Sequence, residues 1–341
     1  MKYSFDEILE IKNGKSHKAV ENPEGKYPIY GSGGIMGYAD DYICGADTVI
    51  IGRKGSINNP IYVEEPFWNV DTAFGLEAKR DLLCPRYLFY FCRKYDFEKL
   101  NKTVTIPSLT KSDLLKININ LPKLDIQEGI VKRLDILQKI IDSRKAEVES
   151  LDVLIKARFV EMFGDPLDNN HAHSVFTECV EFNPKKRELN DLDIDVSFVP
   201  MECVGVDGSF TIKENGKARD YYKGYTYFKD GDVLLAKITP CFENGKVAIA
   251  EGCINSIGFG TTEFHVSRPK AGISNSYWIK YLLKNDSVHE LATLNMSGSA
   301  GQKRVQTSFF EKLEIYLPPI DKQNQFADFV KQVDKSKFVL E

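Results

Sequence analysis

The sequence predicts a mixed α/β (α+β) fold, in which two related globules of short strands and helices are joined by one long helix. The first observation is an internal repeat. A junction of the form Leu-Pro-x-Leu/Ile-x-x-Gln begins at Leu121 and recurs 196 residues later, at Leu317. The second is a series of apolar residues spaced by four and three over residues 126–163, which is typical of a long helix with a narrow apolar stripe.

Residues 1–120 are predicted to form the first globule and residues 165–316 the second. In each, alternating apolar residues indicate a closing strand, which the proline of the repeated junction ends. A weaker similarity links residues 47–54 with residues 232–237. Within the globules, residues 87–100 and 277–294 have helical spacing. The pairs Asn215-Gly216 and Asn244-Gly245 lie between apolar or aromatic runs and predict hairpin turns.

The long helix is predicted for residues 121–164, because Gly164-Asp165-Pro166 ends the pattern abruptly. The positions of its apolar seam are Ile130, Leu134, Leu137, Ile141, Arg144, Val148, Leu151, Ile155, Arg158 and Met162. Residues 126–163 alone would span roughly 57 Å at 1.5 Å per residue. A helix of that length with so narrow a stripe cannot be the core of either globule, so it must pack against another helix.

The second copy of the junction begins a similar helix in residues 317–341. Its seam consists of Phe326, Val330, Val333, Lys337 and Leu340. Because only 19 residues run from Gln323 to Glu341, this helix covers at most half of the first. We therefore expect a truncated second helix, or another molecule that supplies the remaining contact. The uncovered seam around residues 144–162 is expected to pair with another chain.

Composition limits the classes of function. The chain has 341 residues, 43% hydrophobic and 28% charged, and a formal net charge of −4 from 45 Lys and Arg against 49 Asp and Glu. This balance excludes a uniformly basic nucleic-acid-binding protein but allows a local basic groove. No apolar run approaches the ~20 residues of a membrane span, and the N-terminus lacks the apolar stretch of a signal peptide. We expect a cytoplasmic protein.

Motifs for metals and cofactors are weak. The seven cysteines include no Cys-x-x-Cys, and the five histidines include no His-Glu-x-x-His, so we predict no metal and no cofactor. The glycine-rich run Gly31-Ser32-Gly33-Gly34 superficially suggests a dinucleotide loop. However, residues 27–30 are a poor buried strand and no helical pattern follows, which favours a turn close to a ligand or nucleic-acid backbone.

One arrangement suggests catalysis. Asp71, Glu77 and Lys79 fit the loose carboxylate–carboxylate–lysine pattern of Mg²⁺-dependent nucleases. In an extended strand, however, Asp71 and Lys79 would lie ~20 Å apart unless the chain turns. Ordinary strand charges are the competing interpretation, and we favour it.

Basic and polar loops occur in both globules and are candidates for DNA contact, since lysine neutralises phosphate and arginine can read guanine. Between residues 213 and 229 basic residues alternate with tyrosines, although a hairpin with aromatic cross-strand pairs explains that run about as well. The candidate DNA-binding residues are Gly31, Ser32, Gly33, Arg53, Lys54, Ser56, Lys217, Arg219, Lys237, Thr239, Asn244, Lys246, Lys303 and Arg304.

The order of these parts resembles the DNA-specificity subunit of type I restriction-modification systems. The resemblance depends on the repeated Leu-Pro junctions, residues 30–35, the run Gly301-Gln302-Lys303, and residues 159–166 at the end of the first helix. It implies two target-recognition domains, each reading half of a split and asymmetric DNA site. Divergent globules, a stiff helical spacer and the lack of an ATP-binding loop agree with this.

The resemblance also implies partners and a non-catalytic role. Specificity subunits of this family dock methyltransferase subunits, which methylate adenine, and translocating endonuclease subunits join them in the full restriction complex. The residues that we expect at subunit interfaces are Ile130, Leu134, Leu137, Ile141, Val148, Leu151, Ile155, Met162, Phe326, Val330 and Val333. The alternatives are a stand-alone Mg²⁺-dependent nuclease that uses Asp71, Glu77 and Lys79, and a coiled-coil adaptor that binds only protein.

Overall fold

A computed structural model describes residues 1–101, 106–168, 173–299 and 301–340, and for Glu188, Val339 and Leu340 the backbone alone. The predicted seam position at Leu340 therefore lies outside the described side chains. The chain divides into two compact units, Met1–Ser143 and Arg144–Glu341. The mixed α/β fold and the long central helix are confirmed. None of the described helices combines the length and the apolar character that a membrane span requires.

Before the long helix, the described residues of the first unit form nine strands and three short α-helices. They are β1 (Lys2–Ser4), α1 (Phe5–Ile8), β2 (Leu9–Asn13), β3 (Tyr27–Gly31), β4 (Gly34–Ala39), β5 (Thr48–Gly52), β6 (Ile61–Val63), β7 (Trp68–Asn69), β8 (Ala73–Ala78), α2 (Pro85–Lys94), α3 (Lys111–Leu114) and β9 (Asn118–Asn120). The long helix α4 (Leu124–Phe163) follows and continues into the second unit.

The second unit follows α4 with a similar series. Its elements are β10 (His173–Val175), α5 (Phe176–Cys179), β11 (Val180–Phe182), β12 (Asp195–Val199), β13 (Glu214–Lys217), α6 (Ala218–Tyr221), β14 (Thr226–Lys229), β15 (Val233–Ala236), β16 (Val247–Ile249), β17 (Ile257–Gly260), β18 (Phe264–Pro269), α7 (Ser276–Leu283), α8 (Asp286–Leu294), α9 (Thr307–Phe310), β19 (Glu314–Tyr316) and α10 (Ile320–Leu340).

The sheets of the two units share most of their topology, although the second unit has one further strand, β14, which pairs with β17. An antiparallel sheet of order β2-β8-β5-β6 in the first unit corresponds to β11-β18-β15-β16 in the second. A second sheet pairs β3 with β4 antiparallel and with β7 parallel, as β12 pairs with β13 and β17. The terminal pairs β1–β9 and β10–β19 are both antiparallel. The repeat predicted from the junctions thus extends through both units.

A buried glutamine explains why the junction repeats. The side chain of Gln127 donates to the carbonyl oxygens of Leu82 and Pro122, at 2.9 and 2.8 Å, and accepts from the backbone nitrogen of Cys84 at 2.9 Å. It ties the start of α4 to the segment that begins α2. Gln323 makes the same three bonds in the second unit, with the residues that correspond to those three. These are Ile273, Pro318 and Asn275.

Within the second unit, α4 packs against α10. The ring centroid of Phe326 lies 5.4 Å from that of Phe159 and 5.6 Å from that of Phe163. The sequence predicted Arg158 and Met162 at this contact, but the structure places the next residues, Phe159 and Phe163, there. A strict alternation of four and three drifts against the 3.6-residue turn of an unsupercoiled helix, which explains the shift by one residue. Ile155, Phe326, Val330 and Val333 are buried in this core, and Leu151 and Met162 pack against it.

The first half of α4 leaves an apolar stripe uncovered. Asp135 binds Arg86 at 3.0 Å and the Tyr90 hydroxyl at 2.6 Å, which holds one face of the helix on α2. On another face, four apolar side chains are 48–59% exposed. They are Ile136, Leu137, Ile140 and Ile141, which we call the α4 stripe. The main uncovered apolar stretch therefore precedes the expected one at 144–162, because α10 covers the latter in large part.

Three local predictions differ from the structure in whole or in part. Asn215-Gly216 is not a turn but part of β13, where the Tyr221 hydroxyl lies against Gly216, so that an added Cβ would be 2.8 Å from it. The segment 87–100 forms α2, which ends at Lys94, followed by a short 3-10 helix at Phe97–Leu100. The segment 277–294 forms α7 and α8 rather than one helix. In the second segment, the Asn285 side chain caps α8 and interrupts the helix. Residues 27–30 do form a strand, β3, but it leads into β4 as a hairpin.

Candidate nucleic-acid interface

In each unit, the loop after the central strand pairs with a segment that lies far away in the sequence. In the first unit, the backbone nitrogen of Leu109 donates to the Arg53 carbonyl at 2.9 Å, and Gly55 donates to the Pro107 carbonyl at 3.1 Å. Lys54 and Ser108 form a bridge between these two bonds. We call this backbone pairing the loop ladder of the first unit.

The second unit has the same loop ladder. Val305 donates to the Lys237 carbonyl at 2.9 Å and Thr239 donates to the Lys303 carbonyl at 3.0 Å, with a bridge between Ile238 and Arg304. The two ladders match residue by residue. This makes Lys237 the counterpart of Arg53, and Arg304 the counterpart of Ser108.

A third strand segment continues both ladders. The backbone nitrogen of Arg53 donates to the Thr72 carbonyl at 2.7 Å, and that of Lys237 donates to the Glu263 carbonyl at 2.9 Å. Arg53 and Lys237 therefore occupy equivalent places in the two units, but their neighbouring residues differ. Thr72 in the first unit is replaced by the acid Glu263 in the second.

The first ladder lies beside the glycine-rich turn. A Cβ placed on Gly52 would be 3.1 Å from the Cβ of Ser32 and 2.3 Å from the carbonyl oxygen of Ser56, so the loop folds closely over Gly52. Gly31 is buried, whereas Gly33, Arg53, Lys54 and Ser56 are exposed. The Arg53 guanidinium lies 5.8 Å from the centre of the Phe74 ring. The structure thus brings together all six candidates predicted in this unit.

The second ladder holds a charged cluster of four residues, Lys237, Lys303, Arg304 and Glu263. Arg304 donates from Nε and Nη2 to the Glu263 carboxylate, at 2.9 and 2.8 Å, and these bonds lower the pKa of Glu263. Burial lowers the pKa of Lys237, while the nearby Glu263 carboxylate acts in the opposite direction. Lys303 is exposed. With three cations against one carboxylate, the cluster suits an anionic partner.

His265 is a buried residue that contacts this ladder at Val305, and it was not predicted from the sequence. Its Nε2 lies 2.8 Å from the Val305 carbonyl and its Nδ1 lies 3.3 Å from the Asn183 side-chain nitrogen. A neutral ring that donates from Nε2 and accepts at Nδ1 satisfies both contacts. Burial lowers the pKa of His265 to about 4. Phe74 occupies the corresponding position in the first unit, judged by the strand registers.

Other candidates lie elsewhere or are already engaged. Lys217 pairs with Asp195 at 2.8 Å and Arg219 pairs with Asp193 at 2.6 Å, at the edge of the sheet that contains β13. Lys246 donates to the Met201 carbonyl at 3.1 Å. These three cations therefore have partners within their own unit. Thr239 lies on the ladder, where its hydroxyl binds Glu243 at 2.7 Å, and Asn244 is exposed in the turn that follows.

The tyrosines of the basic–aromatic run are packing residues. The rings of Phe198 and Tyr221 stack at 4.8 Å, and Tyr225 meets Phe198 edge-on at 5.0 Å. Tyr227 is buried. The aromatic-packing interpretation, which the sequence left open, accounts for these side chains.

The contacts of Lys79 disfavour the nuclease interpretation. Lys79 donates to the carbonyls of Asp6 and Glu7 at 3.2 and 2.9 Å, and Lys270 does the same to the corresponding carbonyls of the second unit. Glu77 accepts from the backbone nitrogen of Gly45 at 2.7 Å. Both side chains thus have structural roles. No group of three or more His, Cys, Asp or Glu able to hold a metal occurs in the described parts of the chain.

The repeated fold and ladders define a class of protein that consists of two related units whose ladders carry different side chains. The chain belongs to the family of type I restriction modification DNA specificity domains, because the model of that family matches residues 1–153 and again residues 182–341. The double match follows the internal repeat of the structure.

Two curated relatives come from Escherichia coli. The chain is 44% identical to the type I restriction enzyme EcoAI specificity subunit over 156 residues, which are 45% of this chain and 26% of that protein. It is 44% identical to the EcoEI specificity subunit over 151 residues, or 43% of this chain and 25% of that protein. The chain thus matches about a quarter of the length of these relatives.

A solved structure extends the likeness of fold to the whole chain. The crystal structure of the type I restriction-modification system S subunit from M. genitalium superposes with a TM-score of 0.57 at 15% sequence identity. The match covers 100% of this chain and 90% of that one. At this identity the likeness concerns the fold alone.

Proposed function

We propose that this chain is the DNA-specificity subunit of a type I restriction-modification complex, in which each unit reads one half of a split site. The observation that carries the proposal is the repeated loop ladder, which presents Arg53 in one unit and Lys237 at the equivalent place in the other. Cations so placed can neutralise phosphates. Because Thr72 and Ser108 are replaced by Glu263 and Arg304, the two half-sites differ and the whole site is asymmetric.

In this proposal the chain supplies specificity and its partners supply the chemistry. The proposed partners are the adenine methyltransferase subunits and translocating endonuclease subunits that the resemblance to type I specificity subunits implies. The helix α4 is the proposed spacer. The α4 stripe is the proposed contact with a partner chain, either a methyltransferase subunit or a second copy, since exposed apolar patches of this kind mark interaction sites.

Adenine-methylation mapping tests this function most directly. Cells would express the chain together with its methyltransferase partner, and the methylated adenines would be located across the genome. We expect one split, asymmetric motif that is absent when the chain is omitted. Methylation without a split motif, or methylation that is independent of this chain, would overturn the proposal.

The two alternatives have their own tests. Purified chain would be incubated with plasmid and Mg²⁺, where we expect no cutting; cutting that Glu77→Ala abolishes would favour the nuclease. Affinity for duplex DNA would be measured against salt, where phosphate contacts produce a steep negative slope. A flat response would favour an adaptor that binds only protein.

A further inference from the structure

We propose that Arg304 reads a guanine in the half-site of the second unit, held in position by Glu263. This inference rests on the proposed function, since it specifies what one of the two ladders recognises. Hydrogen bonds to Glu263 and to the Gln302 carbonyl hold the Arg304 guanidinium from two sides.

The Arg304 guanidinium is oriented before any ligand arrives. Nε donates to the Glu263 carboxylate at 2.9 Å, Nη2 donates to it at 2.8 Å, and Nη1 donates to the Gln302 carbonyl at 3.0 Å. A guanidinium has five N–H groups in one plane, and these bonds occupy three. Within the described residues, one N–H on each of the two terminal nitrogens is left to bind something else. The side chain is 36% exposed.

A pair of N–H groups on the terminal nitrogens matches the two acceptors of guanine in the major groove. Guanine presents O6 and N7 side by side, and a bidentate arginine is the commonest specific contact with them. The backbone around Arg304 is also held, because it bridges to Ile238 on one side and to Ser297 on the other. Such rigidity favours a contact that depends on direction.

The Glu263 carboxylate decides between guanine and phosphate. A carboxylate bound to Arg304 cancels much of its charge, which weakens attraction to a phosphate. The same loss of charge weakens hydrogen bonds to the neutral acceptors of a base edge less, because those bonds depend mainly on the orientation of the guanidinium. Lys303 and Lys237 flank this pair without such a bidentate partner and are better suited to the phosphates. The cluster therefore divides into a reading residue and two neutralising ones.

The first unit lacks this device. Ser108 stands in the place of Arg304 and Thr72 in the place of Glu263, and neither side chain can form a charged fork. We therefore expect the Arg304 guanine in only one half of the site. The comparison also supplies a substitution that the fold already tolerates at equivalent positions.

The test compares methylation motifs in cells that express the full chain with its methyltransferase partner. The variants are Arg304→Lys, the double variant Glu263→Thr with Arg304→Ser, which copies the first unit, and Lys303→Ala as the control. For the first two, we expect the preference for one guanine in one half-site to fall roughly 10- to 100-fold, the range of a bidentate base contact. The other half-site and the methylated adenine should be unchanged.

Lys303→Ala should instead lower methylation at all sites without changing the motif. If Arg304→Lys and the double variant both behave like Lys303→Ala, Arg304 binds a phosphate and the inference is wrong, while the proposed function stands. A motif that keeps full preference at every guanine in both variants also overturns it. Failure of the wild-type chain to direct a split motif would instead count against the proposed function itself.

Discussion

Single residues repeat their structural roles across the two units, even where the surrounding sequence has diverged. Gln127 and Gln323 are fully buried and each satisfies two carbonyls and one backbone nitrogen. Lys79 and Lys270 likewise bind the carbonyls at the end of a short helix. Buried backbone groups without hydrogen-bond partners are costly. The same side chains therefore satisfy equivalent backbone groups in both units. The glutamines explain the junction motif, and the carbonyl contacts give Lys79 a structural role.

His265 makes the second unit sensitive to acid. Its pKa of about 4 in the folded chain lies below the ~6.5 of an unfolded histidine, so the unfolded state takes up the proton first. The stability that the neutral ring contributes is complete above pH ~6.5 and is lost as the pH falls toward 4, by roughly 3 kcal/mol over that range.

Urea unfolding at pH 7 and at pH 4.5 measures this effect. The control is His265→Phe, which copies Phe74 of the first unit and cannot titrate. We expect the difference in unfolding free energy between wild type and variant to change with pH, in favour of the variant at pH 4.5. Parallel pH profiles would show that His265 is not the sensitive group.

Gly52 is required where the first loop folds back on itself. In Gly52→Ala the new Cβ would lie 2.3 Å from the Ser56 carbonyl oxygen, and relief of such an overlap costs about 1–3 kcal/mol. Gly33→Ala is the control, because nothing lies within 4 Å of its added Cβ. Thermal unfolding should show a loss of stability for the first variant only. Equal stability of the two variants would contradict the close packing of this loop.

Among the elements, the loop ladders carry the proposed contact with DNA. Arg53→Ala and Lys237→Ala each remove one cation from equivalent places, so each should weaken duplex binding and reduce the magnitude of the salt slope by about 1. Lys331→Ala, which removes an exposed charge from α10, is the control and should leave the slope unchanged. Fluorescence anisotropy over a range of salt concentrations measures this. Unchanged slopes for both ladder variants would exclude the ladders from the interface.

The helix α4 carries the proposed contact with protein. Leu137 is 54% exposed, so Leu137→Asp should leave the fold intact but weaken assembly with a partner chain by placing a charge in the α4 stripe. Lys139→Asp, at an exposed position on another face of the helix, serves as the control. Light scattering on the chain co-purified with a methyltransferase subunit, and on the chain alone, measures both kinds of assembly. If neither assembly changes in Leu137→Asp, the stripe is not an interface.

At the scale of the whole molecule, the two units repeat one fold but carry different side chains on their loop ladders. The four-stranded antiparallel sheets, the terminal strand pairs and the ladders match, while the second unit adds strand β14 and the residues presented on the ladders differ. A repeated frame with different surface residues is what reading two different half-sites requires. The molecule therefore separates the residues that maintain the fold, such as the paired glutamines, from those that distinguish its two surfaces, such as Glu263 and Arg304.

The sequence alone determined the repeat, the long helix and, through the resemblance that the family match confirms, the family. Leu-Pro junctions and helical spacing are local patterns, so they can be read without knowledge of distant contacts. The phase of the α4 seam was mispredicted because a strict alternation of four and three drifts against the 3.6-residue helical turn. The strand at Asn215-Gly216 was mispredicted because packing against Tyr221 overrode the local turn signal. Arg304 was among the predicted candidates. Only the tertiary structure showed that Glu263, 41 residues earlier, orients it, since hydrogen bonds between loops depend on sheet register and leave no periodic trace in the sequence.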